Sequence, residues 1–123
     1  MREREYFVIS VKHNARTDRY IILWADNDSG YRGRTEFAGK YPESRIRARM
    51  DYYNSGEDIA VACDVIEKLA VPVEKGFFDT EGGHWVLNNR KNWQVILNNV
   101  IETPAYKPQP EYRGARRRGG EHV

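Results

Sequence analysis

The C-terminal end of the chain carries four arginines within six residues, separated by glycine and alanine: Arg113, Arg116, Arg117 and Arg118. Guanidinium groups bind phosphates, and the counterions released by each contact add affinity for nucleic acid without reading its sequence. A tail that keeps a domain in solution, or that docks a partner protein, has the same composition. The run therefore predicts an accessory nucleic-acid contact, and the other two interpretations stay open.

Helical spacing produces a second set of candidate contacts. Arg45, Arg49 and Tyr52 recur at i, i+4 and i+7 in the segment YPESRIRARMDYYNSG, so one face of a helix would present all three. Arginine and tyrosine together can stack on a ring, clamp a phosphate or bind an acidic partner. A solvated helix flank has the same composition, so this alternative also stays open. The candidate partner-binding set is completed by the loop residues Tyr31, Arg32 and Arg34.

The histidines and the acidic turn are not spaced for a metal site. His13, His84 and His122 have no second histidine or cysteine at zinc-ligand spacing. Of the three, His84 beside Trp85 is the best candidate for a functional role. The segment DNDSG, residues 26–30, begins like a calcium loop but has the wrong residues at the later ligand positions. It therefore predicts a polar hairpin turn.

Signals for catalysis are also missing. Cys63, the single cysteine, is flanked by apolar residues and is expected to be a small buried side chain with no reactive thiol. The chain has no G-x-S-x-G elbow, no P-loop and no dinucleotide fingerprint. We therefore expect no catalytic residue, no cofactor and no metal, hence no enzyme. An enzyme stays open as a third possibility, because catalytic residues can be scattered along a chain.

Charge divides the 123 residues into two parts. Residues 104–123 contain five basic and two acidic side chains and are net +3, so the other 103 residues, with 15 basic and 16 acidic, are net −1. A body that is nearly neutral does not favour a domain whose whole surface binds phosphate. The composition predicts one globular domain over 1–103 and an extended tail rich in proline, arginine and glycine over 104–123.

The same composition bears on the compartment. Three Trp, eight Tyr and four Phe supply enough apolar area for one core. No apolar run has the length that a membrane span or a signal peptide needs. We therefore expect a cytoplasmic protein that has no membrane partner.

Periodicity predicts the elements that must position these side chains. Tyr6–Lys12 and Arg19–Ala25 are rich in aromatic and β-branched residues and predict an antiparallel hairpin, with a weaker third strand over Arg34–Tyr41. Within the first strand, Phe7, Ile9 and Val11 should lie on one face and Tyr6, Val8 and Ser10 on the other. The segment GFFDTEGGHWVL predicts two further short strands around a turn.

Two helices complete the expected fold. The first follows Pro42 and has an apolar face of Ile46, Met50 and Tyr53. The second follows an N-cap at Asn88 or Asn89 and has an apolar stripe of Trp93, Ile96, Leu97 and Val100. The segment IAVACDVIEKLA is ambiguous: IAVA could form a buried strand, and CDVIEKLA could form one or two turns of helix that end before Pro72. The predicted class is α+β: one small domain, an antiparallel sheet of four to five strands packed with two main helices, and a flexible basic C-terminal tail.

Three segments together carry a resemblance: YFVISVKH…DRYIILWADNDSGY, AGKYPESRIRARMDYYNSG and VLNNRKNWQVILNNVIETPAYKPQPEYRGARR. They resemble a family of small proteins encoded by bacteriophages and prophages of Gram-negative bacteria. The resemblance runs from Tyr6 to about Arg117. It implies a setting inside a bacterial host cell and transfers no catalytic residue.

The expected function combines these observations. We expect a non-enzymatic phage-type accessory protein that binds a host or phage protein and so inhibits or modulates a host-defence or nucleic-acid-processing complex. The alternative is a nucleic-acid-binding accessory module that uses the arginine tail together with the Arg/Tyr helix face. The sequence leaves the oligomeric state open, with a dimer among the possibilities.

Overall fold

The computed structural model describes residues 3–72 and 83–115, which form a single small α+β domain. The helices found there are α1 (Glu43–Ala48), α2 (Met50–Tyr53), α3 (Cys63–Leu69) and α4 (Arg90–Leu97). The strands are β1 (Glu5–Ser10), β2 (Leu23–Trp24), β3 (Tyr31–Arg32), β4 (Tyr41–Pro42), β5 (Asp58–Ala62), β6 (Val71–Pro72) and β7 (His84–Trp85).

β1 is the central strand of a five-stranded antiparallel sheet. It pairs with β5 along its length, from Tyr6↔Ala62 to Ser10↔Asp58. β4 and β2 share its other edge, since Tyr6 also pairs with Tyr41 and Ile9 also pairs with Leu23. β3 extends the sheet beyond β2, and β6 pairs with β7 in a separate two-stranded ribbon. The predicted antiparallel sheet of four to five strands is confirmed.

The alternation predicted for β1 is confirmed, and the side chains on each face of the strand belong to a separate buried cluster. Phe7, Ile9 and Val11 belong to one buried cluster, which α3 and α4 cover through Ile66, Trp93 and Ile96. Tyr6 and Val8 belong to a second cluster, which α1 and α2 cover through Ile46 and Tyr53. The two main helices therefore lie on opposite faces of the sheet, and we call these the α4 face and the α1 face.

The third strand predicted over 34–41 is wrong. β3 comes earlier, at Tyr31–Arg32, and the chain then turns, because the amides of Phe37 and Ala38 both donate to the carbonyl oxygen of Arg34 at 3.1 Å. The residues of RTEFAGKY include Glu, Ala, Gly and Lys, all of which are depleted in strands. Local turn hydrogen bonds therefore prevail over a weak strand preference.

The first predicted helix is interrupted. Arg49, with φ −141° and ψ 57°, ends α1 and starts α2. Its carbonyl accepts hydrogen bonds from the amides of Tyr52 and Tyr53, so the chain returns at once to a helical turn. The apolar face survives, since Ile46 and Tyr53 are buried and Met50 packs against them. Arg45 and Arg49, however, do not lie on one continuous helix.

Other local predictions are confirmed. The segment IAVACDVIEKLA resolves into β5 followed by α3, and Asn89 is the N-cap of α4, where its side chain accepts a hydrogen bond from the amide of Asn92 at 2.8 Å. DNDSG forms the turn between β2 and β3. The expected hairpin in GFFDTEGGHWVL falls mostly on residues 73–82, outside the described residues.

Two buried asparagines form hydrogen bonds with backbone groups of neighbouring segments. Asn14 donates to the carbonyl of Ser10 at 2.6 Å and accepts from the amide of Ile22 at 2.9 Å. Asn54 donates to the carbonyl of Glu102 at 2.9 Å and accepts from the amide of Ala60 at 3.0 Å. Each asparagine satisfies one donor and one acceptor of the backbone, as buried polar groups must.

Residues 104–111 contain no helix or strand, residues 112–115 form a turn, and both parts lie against the domain. The amide of Tyr106 donates to the carbonyl of Ser55 at 2.9 Å, and Arg16 donates to the carbonyl of Tyr112 at 3.0 Å. The Tyr112 ring packs against the core of the α4 face. The tail expected over 104–123 thus begins as a segment that is hydrogen-bonded to the domain. Residues 116–123 lie outside the described residues.

Candidate functional site

Two exposed tyrosines flank a buried tryptophan on the α1 face. Tyr31 is the cross-strand partner of Trp24, and side chains in such a pair lie on the same face of a sheet. The Tyr52 ring meets the Trp24 ring edge-on, with centroids 5.3 Å apart. Trp24 is 7% exposed, whereas Tyr31 is 45% and Tyr52 41% exposed. We call Tyr31, Trp24, Tyr52 and the adjacent Arg49 the tyrosine surface.

Arg49 adds a charge to this surface. Its guanidinium lies 5.3 Å from the centroid of the Tyr52 ring, a cation–π distance. It also forms an exposed ion pair of 3.3 Å with Asp51. An exposed pair of this kind is worth little, so Arg49 can exchange Asp51 for another partner at small cost.

Arg45, in contrast, bonds to other residues of the domain. Its Nε donates to the Tyr53 hydroxyl at 2.9 Å, and its guanidinium forms an ion pair of 3.3 Å with Asp28. The hydrogen bond with Tyr53 raises the pKa of Arg45 above its usual value. The Tyr41 hydroxyl donates to the carbonyl of Ala25 and accepts from the Asp28 amide. Arg45 therefore helps to hold the DNDSG turn in place.

A polar group lies beneath the tyrosine surface. Asp58 is buried, and its carboxylate accepts a hydrogen bond from Nε1 of Trp24 at 3.3 Å. Burial raises the pKa of Asp58, while nearby Lys12 and the hydrogen bond from Trp24 act in the opposite direction. Nδ1 of His13 lies 2.7 Å from Oγ of Ser10 and 3.0 Å from the Tyr31 hydroxyl. Ser10 is fully buried, so this group can orient Tyr31 and Trp24 but cannot present a nucleophile.

The structure separates Arg32 and Arg34 from Tyr31. Arg32 pairs with Leu23, a residue of the α4-face core, so strand alternation directs its side chain away from the tyrosine surface. Arg34 forms an isolated bridge with Trp85, and its guanidinium lies 4.2 Å from the centroid of the Phe37 ring. The predicted set thus divides: Tyr31, Arg49 and Tyr52 lie together, Arg45 lies inward beside them, and Arg32 and Arg34 lie elsewhere.

His84, the histidine singled out from the sequence, is paired with a carboxylate. Its Nδ1 lies 2.6 Å from Glu36, and its backbone amide donates to the same carboxylate at 2.9 Å. Partial desolvation would raise the pKa of Glu36, but the hydrogen bonds from His84 outweigh it and lower that pKa to about 2. Both side chains are exposed, and the pair joins the 34–38 turn to β7.

Glu36→Gln should reveal this link through pH. Because the pKa of Glu36 is lowered on folding, its stabilising effect is present above the ordinary value of 4.5 and is lost as pH falls towards about 2. The side chain is 40% exposed, so solvent screening limits the effect at pH 7 to about 0.5–1 kcal/mol. Urea denaturation from pH 7 to pH 2 measures the difference between the two proteins. A difference that stays constant across this range would contradict the assignment.

Cys63 is buried, as expected, and burial raises the pKa of its thiol to about 12. A thiol with this pKa is not a nucleophile near neutral pH. Within 3–72 and 83–115, no group of three or more histidine, cysteine and acidic side chains is arranged to hold a metal ion. No helix in these two ranges is long and apolar enough to cross a membrane.

Of the four tail arginines, the structure describes only Arg113; Arg116, Arg117 and Arg118 lie outside the described residues. Arg113 lines an open cleft with Arg16, Arg19 and Asn88, next to the start of α4. This cleft belongs to the α4 face, because Tyr112, which precedes Arg113, packs on that part of the core. The structure therefore does not bring Arg113 together with the Arg45, Arg49 and Tyr52 set.

Sequence patterns could find part of this arrangement. Helical spacing identified Arg49 and Tyr52. It did not identify Trp24 and His13 as neighbours of Tyr31, or Asp58 as the hydrogen-bond partner of Trp24. Their proximity depends on the register Trp24↔Tyr31 and on the pairing of β1 with β5, which no local pattern specifies. Comparison of the chain with protein-family models, with curated proteins and with solved structures found no match.

Proposed function

We propose that this protein is a binding module without catalytic chemistry of its own, and that its partner is another protein. One observation carries the proposal: Tyr31 and Tyr52, each more than 40% exposed, flank the buried Trp24, with Arg49 stacked on Tyr52. Tyrosine, tryptophan and arginine are the residues in which the binding energy of protein interfaces is concentrated.

The tyrosine surface is also rigid, which favours binding. The Tyr52 ring packs edge-on against both Trp24 and Tyr53, with centroids 5.3 and 5.0 Å apart. The Tyr31 hydroxyl is held 3.0 Å from His13. Side chains that are already ordered lose little conformational entropy when a partner covers them. The contact would therefore retain most of the free energy gained by burying the two rings.

The resemblance to phage and prophage proteins supports a setting for this activity. In this setting, the protein acts in the cytoplasm of a bacterial host. It binds a host or phage protein that belongs to a defence or nucleic-acid-processing complex. Binding at the tyrosine surface would inhibit or modulate that complex. The near-neutral body, net −1 over residues 1–103, is compatible with a partner recognised by shape and aromatic contact more than by charge.

Affinity capture from bacterial lysate, with and without phage infection, tests the proposal. Tagged wild-type protein and the variants Tyr31→Ala and Tyr52→Ala are compared by quantitative mass spectrometry. The specific partner should be recovered by the wild type, and each variant should lower its affinity by roughly tenfold or more, because each substitution removes a hot-spot ring.

Tyr106→Ala is the matched control. Tyr106 is also an exposed tyrosine, at 69%, but it belongs to the C-terminal segment and is not part of the tyrosine surface, so its loss should leave capture unchanged. The proposal fails if no protein is enriched by the wild type over the Tyr31→Ala/Tyr52→Ala double variant. It also fails if Tyr106→Ala reduces capture as much as Tyr52→Ala does.

A further inference from the structure

β3, the short strand Tyr31–Arg32, forms one edge of the five-stranded sheet. Among the described residues it pairs with β2 alone, and both of its residues are exposed. Edge strands present backbone groups with which another chain can pair, and short length and charged side chains are common means of limiting such pairing. The direction in which the backbone groups of β3 point therefore decides whether this edge can accept a further strand.

The register places the hydrogen-bonding backbone groups of Tyr31 on the outer edge. The amide of Ala25 donates to the carbonyl of Gly30 at 2.7 Å, and the carbonyl of Trp24 accepts from the amide of Gly39 at 2.9 Å. Trp24 and Tyr31 are thus a non-hydrogen-bonded pair, because the two kinds of pair alternate along an antiparallel ladder. In such a pair the N–H and C=O groups of each residue point away from the other strand, so those of Tyr31 point away from β2.

The Arg32 side chain lies along the same edge. Its guanidinium donates to the Tyr31 carbonyl at 2.9 Å, and within residues 3–72 and 83–115 it forms no ion pair. A solvent-exposed bond of this kind contributes little, so the backbone amide of a partner can take its place on the carbonyl. The exchange would leave the guanidinium beside the added strand, where it can pair with a carboxylate.

We propose that the partner presents an extended segment that pairs with β3 as an added antiparallel strand, with an aromatic or aliphatic residue opposite Tyr31 and an acidic residue opposite Arg32. This inference rests on the proposed protein contact and names the form of the partner. One residue of the segment would exchange both backbone hydrogen bonds with Tyr31. Its side chain would lie on the α1 face and extend the tyrosine surface, because cross-strand partners share a face.

An added strand also makes use of Arg32. Tyr31 and Arg32 point to opposite faces of the sheet, yet both border the same edge. The partner residue that follows the one opposite Tyr31 would point to the face of Arg32, where a negative charge is favourable. A single extended segment that alternates apolar and acidic residues therefore complements both side chains and the backbone between them.

A short blocked peptide, in which glutamate alternates with threonine around a central phenylalanine, tests the proposal on the full chain. Titrated into isotope-labelled protein, this glutamate peptide should shift the NMR resonance of the Tyr31 amide and slow its hydrogen exchange. The same peptide N-methylated at the phenylalanine cannot donate to the Tyr31 carbonyl. It should therefore bind roughly tenfold more weakly, because the carbonyl is covered without a donor.

Arg32→Glu tests the expected charge. Its affinity for the glutamate peptide should fall about two- to fivefold, and its affinity for the same peptide with lysine in place of glutamate should rise by a similar factor. A variant that is merely misfolded would lose both peptides. Arg90→Glu is the matched control, because it makes the same charge change at an exposed arginine of α4, and it should bind both peptides like the wild type.

The proposal is overturned if millimolar glutamate peptide leaves the Tyr31 amide unchanged, since Arg32 would then guard the edge against pairing. It is also overturned if the N-methylated peptide binds as tightly as its parent, or if Arg32→Glu and Arg90→Glu change binding equally. One result separates this inference from the proposed function. A protein captured through Tyr52, in whose complex the Tyr31 amide exchanges as fast as in the free protein, would overturn the added strand and leave the tyrosine surface as the contact.

Discussion

Asn88→Ala should destabilise the domain by about 2–4 kcal/mol, because one side chain joins three segments and satisfies a buried indole. Its Oδ1 accepts from Nε1 of Trp93 at 2.6 Å, and Trp93 is 1% exposed. Its Nδ2 donates to the carbonyls of Asp18 and Glu111. Alanine would leave the indole donor buried without that acceptor, and it would release the loop and the C-terminal segment from the start of α4. Urea denaturation followed by tryptophan fluorescence measures the loss.

Asn99→Ala is the matched control for this prediction. Asn99 makes one side-chain hydrogen bond, to the carbonyl of Val95 at 2.7 Å, at an exposed position after α4. Its loss should change stability by less than about 1 kcal/mol. Similar free energies of unfolding for Asn88→Ala and Asn99→Ala would show that the three-segment junction is not what stabilises this end of the domain.

Gly56→Ala should be almost as damaging, by roughly 2–4 kcal/mol, for two separate reasons. Gly56 has a φ of +114°, which side chains rarely adopt, and a Cβ there would lie 1.9 Å from the carbonyl oxygen of Tyr106. The backbone of the C-terminal segment would have to move, and the bond from the Tyr106 amide to Ser55 would break. Equilibrium denaturation together with hydrogen exchange at the Tyr106 amide tests both effects.

Gly30→Ala separates the two reasons. Gly30 has a similar φ of +125°, but a Cβ there would meet nothing within 4 Å. This variant should lose only about 1–2 kcal/mol from backbone strain and should leave exchange at Tyr106 unchanged. If both alanine variants lose the same stability and neither accelerates exchange at Tyr106, then segment 104–115 does not pack against Gly56 as described.

The elements that could be predicted are those specified by neighbours in sequence. Phe7 and Ile9 alternate with Tyr6 and Val8, and both sets are apolar, so β1 had to be a strand buried on both sides. The stripe through Trp93 and Ile96 and the cap at Asn89 follow from helix geometry in the same way. Periodicity and capping act within a few residues, and for this reason they can be recognised without the fold.

The candidate site could be predicted only in part, because surfaces are assembled by pairings between distant residues. Tyr31 and Arg32 are adjacent, yet the register Trp24↔Tyr31 sends them to opposite faces of the sheet, and a slip of one residue would reverse them. Arg45 and Arg49 share a helical spacing, but the helix is interrupted at Arg49, and Arg45 forms an ion pair with Asp28. Of the two arginines, Arg49 is therefore the one available to bind a partner.

By itself, the sequence determined that this chain forms a small α+β domain with a first strand that has two distinct faces, amphipathic helices and a basic end. Hydrophobic period and local charge need no knowledge of distant contacts. Only the tertiary structure decided that Tyr31 and Tyr52 flank Trp24, and that Arg113 and Arg19 line one cleft on the other side of the sheet. These proximities depend on strand register and on hydrogen bonds between remote loops. The Asn88 side chain, for example, donates to a carbonyl 73 residues away in the chain.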